Sequence, residues 1–145
     1  MAINAAADAT DVATALAQHG KKLDLDMAAY NRLRDKSVVH TAILTEKPTG
    51  GFVSQIALAA VFEQILYECA AVEYAVDMVN NATVDTIGDI LIAYAEMLEL
   101  DLTDYNALDE TKQAQVHAAL VGQNFEDGAA IKTAFNAAVA AAQQT

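Results

Sequence analysis

The feature that most constrains this chain is an internal repeat. Leu23-Asp24-Leu25-Asp26-Met27-Ala28-Ala29-Tyr30-Asn31-Arg32-Leu33 lines up with Leu98-Glu99-Leu100-Asp101-Leu102-Thr103-Asp104-Tyr105-Asn106-Ala107-Leu108 at an offset of 75 residues. Two more matches flank it in the same order. Ile3-Asn4-Ala5-Ala6 answers Val79-Asn80-Asn81-Ala82, and Phe52 with Val61-Phe62 answers Phe125 with Ala134-Phe135. Three matches in register imply one supersecondary plan used twice. Helix-forming residues run almost without interruption, and alternating β-branched stretches bounded by turns are missing, so the expected fold class is all-α.

Between the copies lies the longest helix the sequence supports, over residues 54–79. Neither proline nor glycine occurs between Gly51 and Asn80. Leu58, Phe62, Ile65, Cys69, Val72, Val76 and Val79 recur at alternating steps of four and three, the seam of a helix. Such a helix of roughly 26 residues is about 39 Å long at about 1.5 Å per residue. Glu63, Gln64, Glu68, Glu73 and Asp77 fall off the seam and give an acidic outer face. The expected architecture is bundle-like: two similar multi-helix repeats, about 3–66 and 79–139, joined through this central helix into one helical unit.

Local signals divide each copy into short helices. In the first, Asp8 or Thr10 caps a helix ended by Gly20, a one-turn helix covers 28–33, and a third helix over 36–45 takes Asp35 as cap. Val38, Val39, Ala42 and Ile43 are expected to point inward. Glu46-Lys47-Pro48-Thr49-Gly50-Gly51 breaks the pattern, Ser54 caps the long helix, and Phe52 packs over its first turn. In the second, Asn81 or Thr83 caps a helix running to Leu98 with Ile87, Ile90, Leu91, Tyr94 and Leu98 inward. Thr103 and Asp109 start two short helices, the second with Val116, Ala119 and Leu120 inward. Asp127 caps the last helix, which carries Ile131, Phe135 and Val139 and frays from Ala140.

Charge separates the regions more sharply than hydropathy. Residues 1–47 hold six basic and six acidic side chains, and residues 112–145 hold two of each. Residues 48–111 hold twelve acids and no lysine or arginine, so the whole net charge of −12 sits there. Such a field repels nucleic acid and favours basic partners or cations. Asp77, Asp85, Asp89, Glu96, Glu99, Asp101 and Asp104 form the candidate interaction face. Met1 to Ala7 carries no positive n-region, so no secretory signal is expected. The longest charge-free apolar stretch, between Lys47 and Glu63, contains Pro48, Thr49, Gly50, Gly51, Ser54 and Gln55, too short and polar to span a bilayer. Cys69 is the lone cysteine and lies on the seam, a structural position.

Here the residues carry a resemblance. The order Ile/Val-Asn-x-Ala, then Leu-Asp-Leu-x-x-Tyr-Asn-x-Leu, a helix, Pro-x-Gly-Gly-Phe and a helix ending in Phe-x-x-Ala/Ile resembles an α-helical repeat of Gram-positive bacterial surface proteins. Those repeats stand in tandem arrays beside S-layer-type anchoring domains, and similar ones occur in phage-encoded proteins. The resemblance covers most of the chain in two copies, although the second lacks the Pro-Gly-Gly turn. It implies a packing or assembly role and names no active site.

Constellations for chemistry are weak. His19, His40 and His117 form no His-x-x-x-His pair, no His-Glu-x-x-His or Cys-x-x-Cys occurs, and His40 and His117, near one another in the repeat alignment, are each expected at a helix surface. Asp24-x-Asp26 with Asp35 at the twelfth position is no calcium loop, because Ala28 and Ala29 occupy the fifth and sixth positions, where the loop needs a ligand and a glycine. Gly50-Gly51 lacks the lysine of a phosphate loop. Glu96 with Glu99, and Asp101 with Asp104, are surface neighbours tied to no nucleophile. Tyr30 and Tyr105 recur at equivalent positions, which favours packing rings with locally bonded hydroxyls. The expectation is a non-enzymatic structural or interaction module without catalytic residues, metal or cofactor: a phage virion or surface-assembly component. It is synthesised in the cytoplasm without a signal peptide and associates with itself or with other proteins, not with nucleic acid or membrane. The alternative is a small acidic inhibitor or adaptor that binds a basic surface as a nucleic-acid mimic.

Overall fold

A computed structural model describes residues 1–145, and it is all-helical. The helices are α1 (Ala2–Ala5), α2 (Ala9–His19), α3 (Met27–Arg32), α4 (Ser37–Glu46), α5 (Gln55–Asn80), α6 (Ile87–Ala93), α7 (Thr103–Asn106), α8 (Glu110–Leu120) and α9 (Gly128–Gln143). Two compact units divide within α5, Met1–Ala70 and Ala71–Thr145.

In unit 1, α2 packs on α1 and α4, and α5 contributes its first four turns to the core. Val12, Leu16, Val39, Ile43, Leu58 and Phe62 are fully buried. Asp8 accepts from Asp11 N at 2.9 Å, Asp26 from Ala29 N at 2.9 Å, and Ser54 from Ala57 N at 3.1 Å, so each of these helices starts on a side-chain cap. Each cap satisfies one amide that the first turn leaves without a partner. Asp35 is not the cap of α4. Its carboxylate accepts from Ser37 N and Ser37 Oγ two residues on, while Lys36 occupies the cap position. Val38, expected inward, is half exposed.

Unit 2 repeats this plan. Ile87, Leu91, Val116, Leu120, Ile131 and Phe135 are fully buried around Ala75, Val76 and Val79 of α5, and α8 packs on α9. Asp109 caps α8 through Lys112 N at 2.9 Å and Asp127 caps α9 through Ala130 N at 2.8 Å. Three expectations need correction. The helix expected from Asn81 or Thr83 to Leu98 is regular only over Ile87–Ala93, with turns on both sides. No side-chain cap starts it, since Thr83 N donates to Thr86 Oγ and closes a turn ahead of the helix. Ala119, expected inward, is exposed. The last helix does not fray at Ala140, because Ala142 is buried against the core and holds α9 to Gln143.

The repeat extends to backbone detail. Asp24 and Glu99, 75 residues apart, both take the left-handed conformation, at φ +55° and +56°. Each ends a helical segment with the same pair of bonds. Leu25 N reaches back to Gly20 O at 3.1 Å and Leu23 N to His19 O at 2.9 Å, while Leu100 N reaches Ala95 O at 2.8 Å and Leu98 N reaches Tyr94 O at 2.9 Å. An ordinary residue in this region costs roughly 1–2 kcal/mol, offset here by the bonds and by burial of Leu25 and Leu100.

By length and composition α5 is also apolar enough to cross a membrane. Glu63, Glu68, Glu73 and Asp77 punctuate the helix, so it holds no long charge-free stretch. Carboxylates are costly at the centre of a bilayer, about 2.5–3.5 kcal/mol for Asp. Leu58, Phe62, Ile65 and Leu66 are buried in unit 1, and Ala75, Val76 and Val79 in unit 2, so α5 lends one stripe to each core while only 22% of its apolar window is buried.

Candidate interaction surface

Two part-buried polar contacts recur in both units. Asn4 brackets the residue that leads into α5: Phe52 N donates to Asn4 Oδ1 at 2.7 Å, and Asn4 Nδ2 donates to Phe52 O at 3.0 Å. Asn80 does the same for Phe125, at 2.7 and 2.9 Å. A side-chain amide can complete both bonds because it carries a donor and an acceptor side by side. Gly51 makes room for the first bracket, since a Cβ there would lie 2.5 Å from Asn4 Cγ, and its φ of +89° also favours glycine.

The second pair joins tyrosine to histidine. Tyr30 Oη lies 2.7 Å from His40 Nε2, and Tyr105 Oη lies 2.7 Å from His117 Nε2. Each tyrosine ring also leans on the buried phenylalanine of its unit, Phe62 at 6.1 Å and Phe135 at 5.7 Å between centroids. The histidines are half-buried, not at a helix surface as their sequence positions suggest. Burial holds both below the ordinary histidine pKa; around His40, Asp35 opposes the shift and Lys36 adds to it. Burial likewise raises the pKa of Tyr30 and Tyr105, helped at Tyr105 by the Asp89 carboxylate. Gly88 on α6 leaves the space for the second pair, since a Cβ there would come within 3.0 Å of His117 Cε1 and Nε2. No buried side-chain nitrogen or oxygen lacks a partner.

The seven acids of the candidate face are all exposed, on several segments of unit 2. Asp77 lies on α5, Asp85 in the turn before α6, Asp89 on α6, Glu96 and Glu99 in the turns after it, Asp101 before α7 and Asp104 in its first turn. Asp101 accepts from Thr103 N at 2.9 Å, and hydrogen bonds from Thr103 hold its pKa below the ordinary carboxylate value. Glu99 lies 3.7 Å from Lys132 Nζ. No group of three or more His, Cys, Asp or Glu side chains is placed to hold a metal ion. The acids therefore present a distributed field and not a converging site.

Large apolar side chains also remain at the surface. In unit 1, Val53 is 93% exposed, Ile56 82% and Tyr67 71%. In unit 2 the exposed set is Tyr74, Val84, Ile92 and Met97. Two of these, Val53 and Ile56, flank the Ser54 cap at the start of α5. Comparison with protein-family models, with characterised proteins and with solved structures finds no match.

Proposed function

We propose that this protein is a non-enzymatic structural and interaction module that acts by associating with itself or with other proteins, as a component of a phage virion or surface assembly. The exposed apolar residues at the start of α5 carry this reading. Val53 and Ile56 are almost wholly solvated, although burying a side chain of their size is worth about 1.5–3 kcal/mol. Isolated exposed apolar residues are ordinary; Val53 just ahead of the Ser54 cap, Ile56 in the first turn of α5 and Tyr67 about three turns further along that helix suit a surface that becomes covered. The virion or surface setting rests on the resemblance of the Leu-Asp-Leu-x-x-Tyr-Asn-x-Leu and Pro-x-Gly-Gly-Phe motifs.

The test is sedimentation of the purified chain together with mass spectrometry of purified particles. The expected result is oligomers or particle incorporation, either of which weakens in Val53→Ser/Ile56→Ser. A strict monomer that is also absent from particles overturns the reading.

A further inference from the structure

We infer that the open groove between α4 and the first half of α5 in unit 1 is a docking site for a basic amphipathic helix of a partner protein. The groove encloses about 330 Å³. Ala42, Ala60, Val61 and Ile65 form its apolar floor, and Glu46, Gln64 and Glu68 stand at its rim. Gln64 Nε2 donates to Glu68 Oε1 at 2.7 Å, which restrains that carboxylate one turn along the helix. Lys47, next to Glu46, is committed elsewhere, because its ammonium donates to Ala6 O at 2.6 Å. A volume at the low end of the roughly 300–1,000 Å³ of small-molecule pockets suits side chains from successive turns of a helix laid along the groove.

Unit 2 provides an internal reference. Aligning His40 with His117 places Ala119 and Gln123 where unit 1 has Ala42 and Glu46. Aligning Phe62 with Phe135 places Thr133, Ala134, Ala137, Ala138 and Ala141 where unit 1 has Ala60, Val61, Gln64, Ile65 and Glu68. Every polar rim residue of the groove is thus replaced, the two carboxylates by Gln123 and Ala141. Gln123 turns back to bond Ala119 O at 3.1 Å. The second core closes around Ile131, Phe135 and Val139 all the same. A unit of this plan therefore closes its core without carboxylates at these positions, and the acidic rim is particular to unit 1.

Charge selects the occupant. Residues 48–111 contain no lysine or arginine, so a second copy laying its own α5 in the groove would set carboxylate against carboxylate. A helix with an apolar stripe flanked by lysine or arginine fills the floor and pairs with the rim.

The inference rests on the interaction-module reading and is tested separately from it. The probe is a fluorescein-labelled 18-residue helical peptide with leucines at i, i+3, i+4 and i+7 and lysines on both flanks, titrated into the full chain. Saturable binding that weakens with salt is expected, with amide shifts at Ala42, Ala60, Val61 and Ile65. Glu46→Gln/Glu68→Gln should weaken binding at least tenfold without changing the circular dichroism, since both side chains are exposed. Glu46→Lys/Glu68→Lys should reverse the preference toward a glutamate-flanked peptide. Unchanged affinity in the glutamine variant, or shifts confined to the acids of unit 2, overturns the inference. Oligomers or particle incorporation without peptide binding removes the groove alone, whereas groove binding by a monomer absent from particles supports the groove and removes the assembly reading.

Discussion

Replacing Asn4 by aspartate isolates what the asparagine bracket contributes, because the two side chains have the same shape and the space left by Gly51 is unchanged. In the native chain Phe52 N donates to Asn4 Oδ1 and Asn4 Nδ2 donates to Phe52 O. Asn4→Asp keeps the first bond and turns the second donor into an oxygen facing a carbonyl 3.0 Å away. The lost bond is worth about 0.5–1.5 kcal/mol, and a buried carbonyl left without a partner costs about 1–3 kcal/mol. Because this group is only part-buried, the expected loss is about 2 kcal/mol. With a urea m-value of about 1.5 kcal/mol/M, the midpoint of unit 1 unfolding falls by about 1.3 M. Hydrogen exchange adds a local readout: the Phe52 amide stays protected in Asn4→Asp and loses protection in Asn4→Ala. The penalty should also depend on pH. The introduced carboxyl has its folded pKa raised above the unfolded value, so the difference from the native chain is full above the folded pKa and vanishes as pH falls below about 3.9. A midpoint change equivalent to less than about 0.5 kcal/mol, or a penalty that does not shrink in acid, would refute the role given to the bracket.

Asn80→Asp should cost somewhat more than its counterpart, since Asn80 ends α5 and a carboxylate at a helix C-terminus adds about 0.3–1 kcal/mol; urea unfolding of both variants decides the order. Gly88→Ala should cost unit 2 a net of up to about 2 kcal/mol, because overpacking worth about 1–3 kcal/mol opposes the helix gain of about 1 kcal/mol: its Cβ would lie 3.0 Å from His117 Cε1 and Nε2, which must give by a few tenths of an ångström while bonded to Tyr105; thermal melting and the His117 ring shifts report it. His40 and His117 both have lowered pKa values, so the unfolded chain takes up protons first as pH falls below about 6.5. Their stabilising contribution is therefore present above that pH and is lost as pH falls toward the folded pKa; urea midpoints at pH 7.5 and 5.5 should differ less in His40→Gln/His117→Gln. Phe135→Ala should cost about 3–5 kcal/mol, read from denaturant unfolding, because Phe135 is fully buried in the core of unit 2.

Much of the fold was legible because repetition and capping are local signals. The caps Ser54, Asp109 and Asp127 and the extent of α5 follow from residue type and helical spacing, and the structure places them there; of the two candidates Asp8 and Thr10 it selects Asp8. Apolar spacing extends the helix after Asn81 to Leu98, beyond its observed end, because periodicity does not register that Glu99 turns left-handed to close the segment. An alanine run with no visible partner predicts fraying at α9; burial of Ala142 is a tertiary fact. The tyrosine–histidine pairs were half legible. Tyr30 and Tyr105 stand out in the repeat, but their partners lie ten and twelve residues on, so no single motif links them, and only their joint recurrence was available as a signal. The groove on α4 and α5 left no local trace. Glu46 and Glu68 come from separate helices, and what distinguishes them is that the second copy has neither.

The shared helix also bears on how such a chain can lengthen. The repeat in sequence reopens at Val79, whereas the second compact unit begins at Ala71, two helical turns earlier. A fragment cut at the sequence boundary would therefore lose Ala75 and Val76 from its core. Duplication meets no such obstacle. The closing helix of one copy already contains the opening Asn80 of the next, so another copy can be appended by continuing a helix, without inventing a linker.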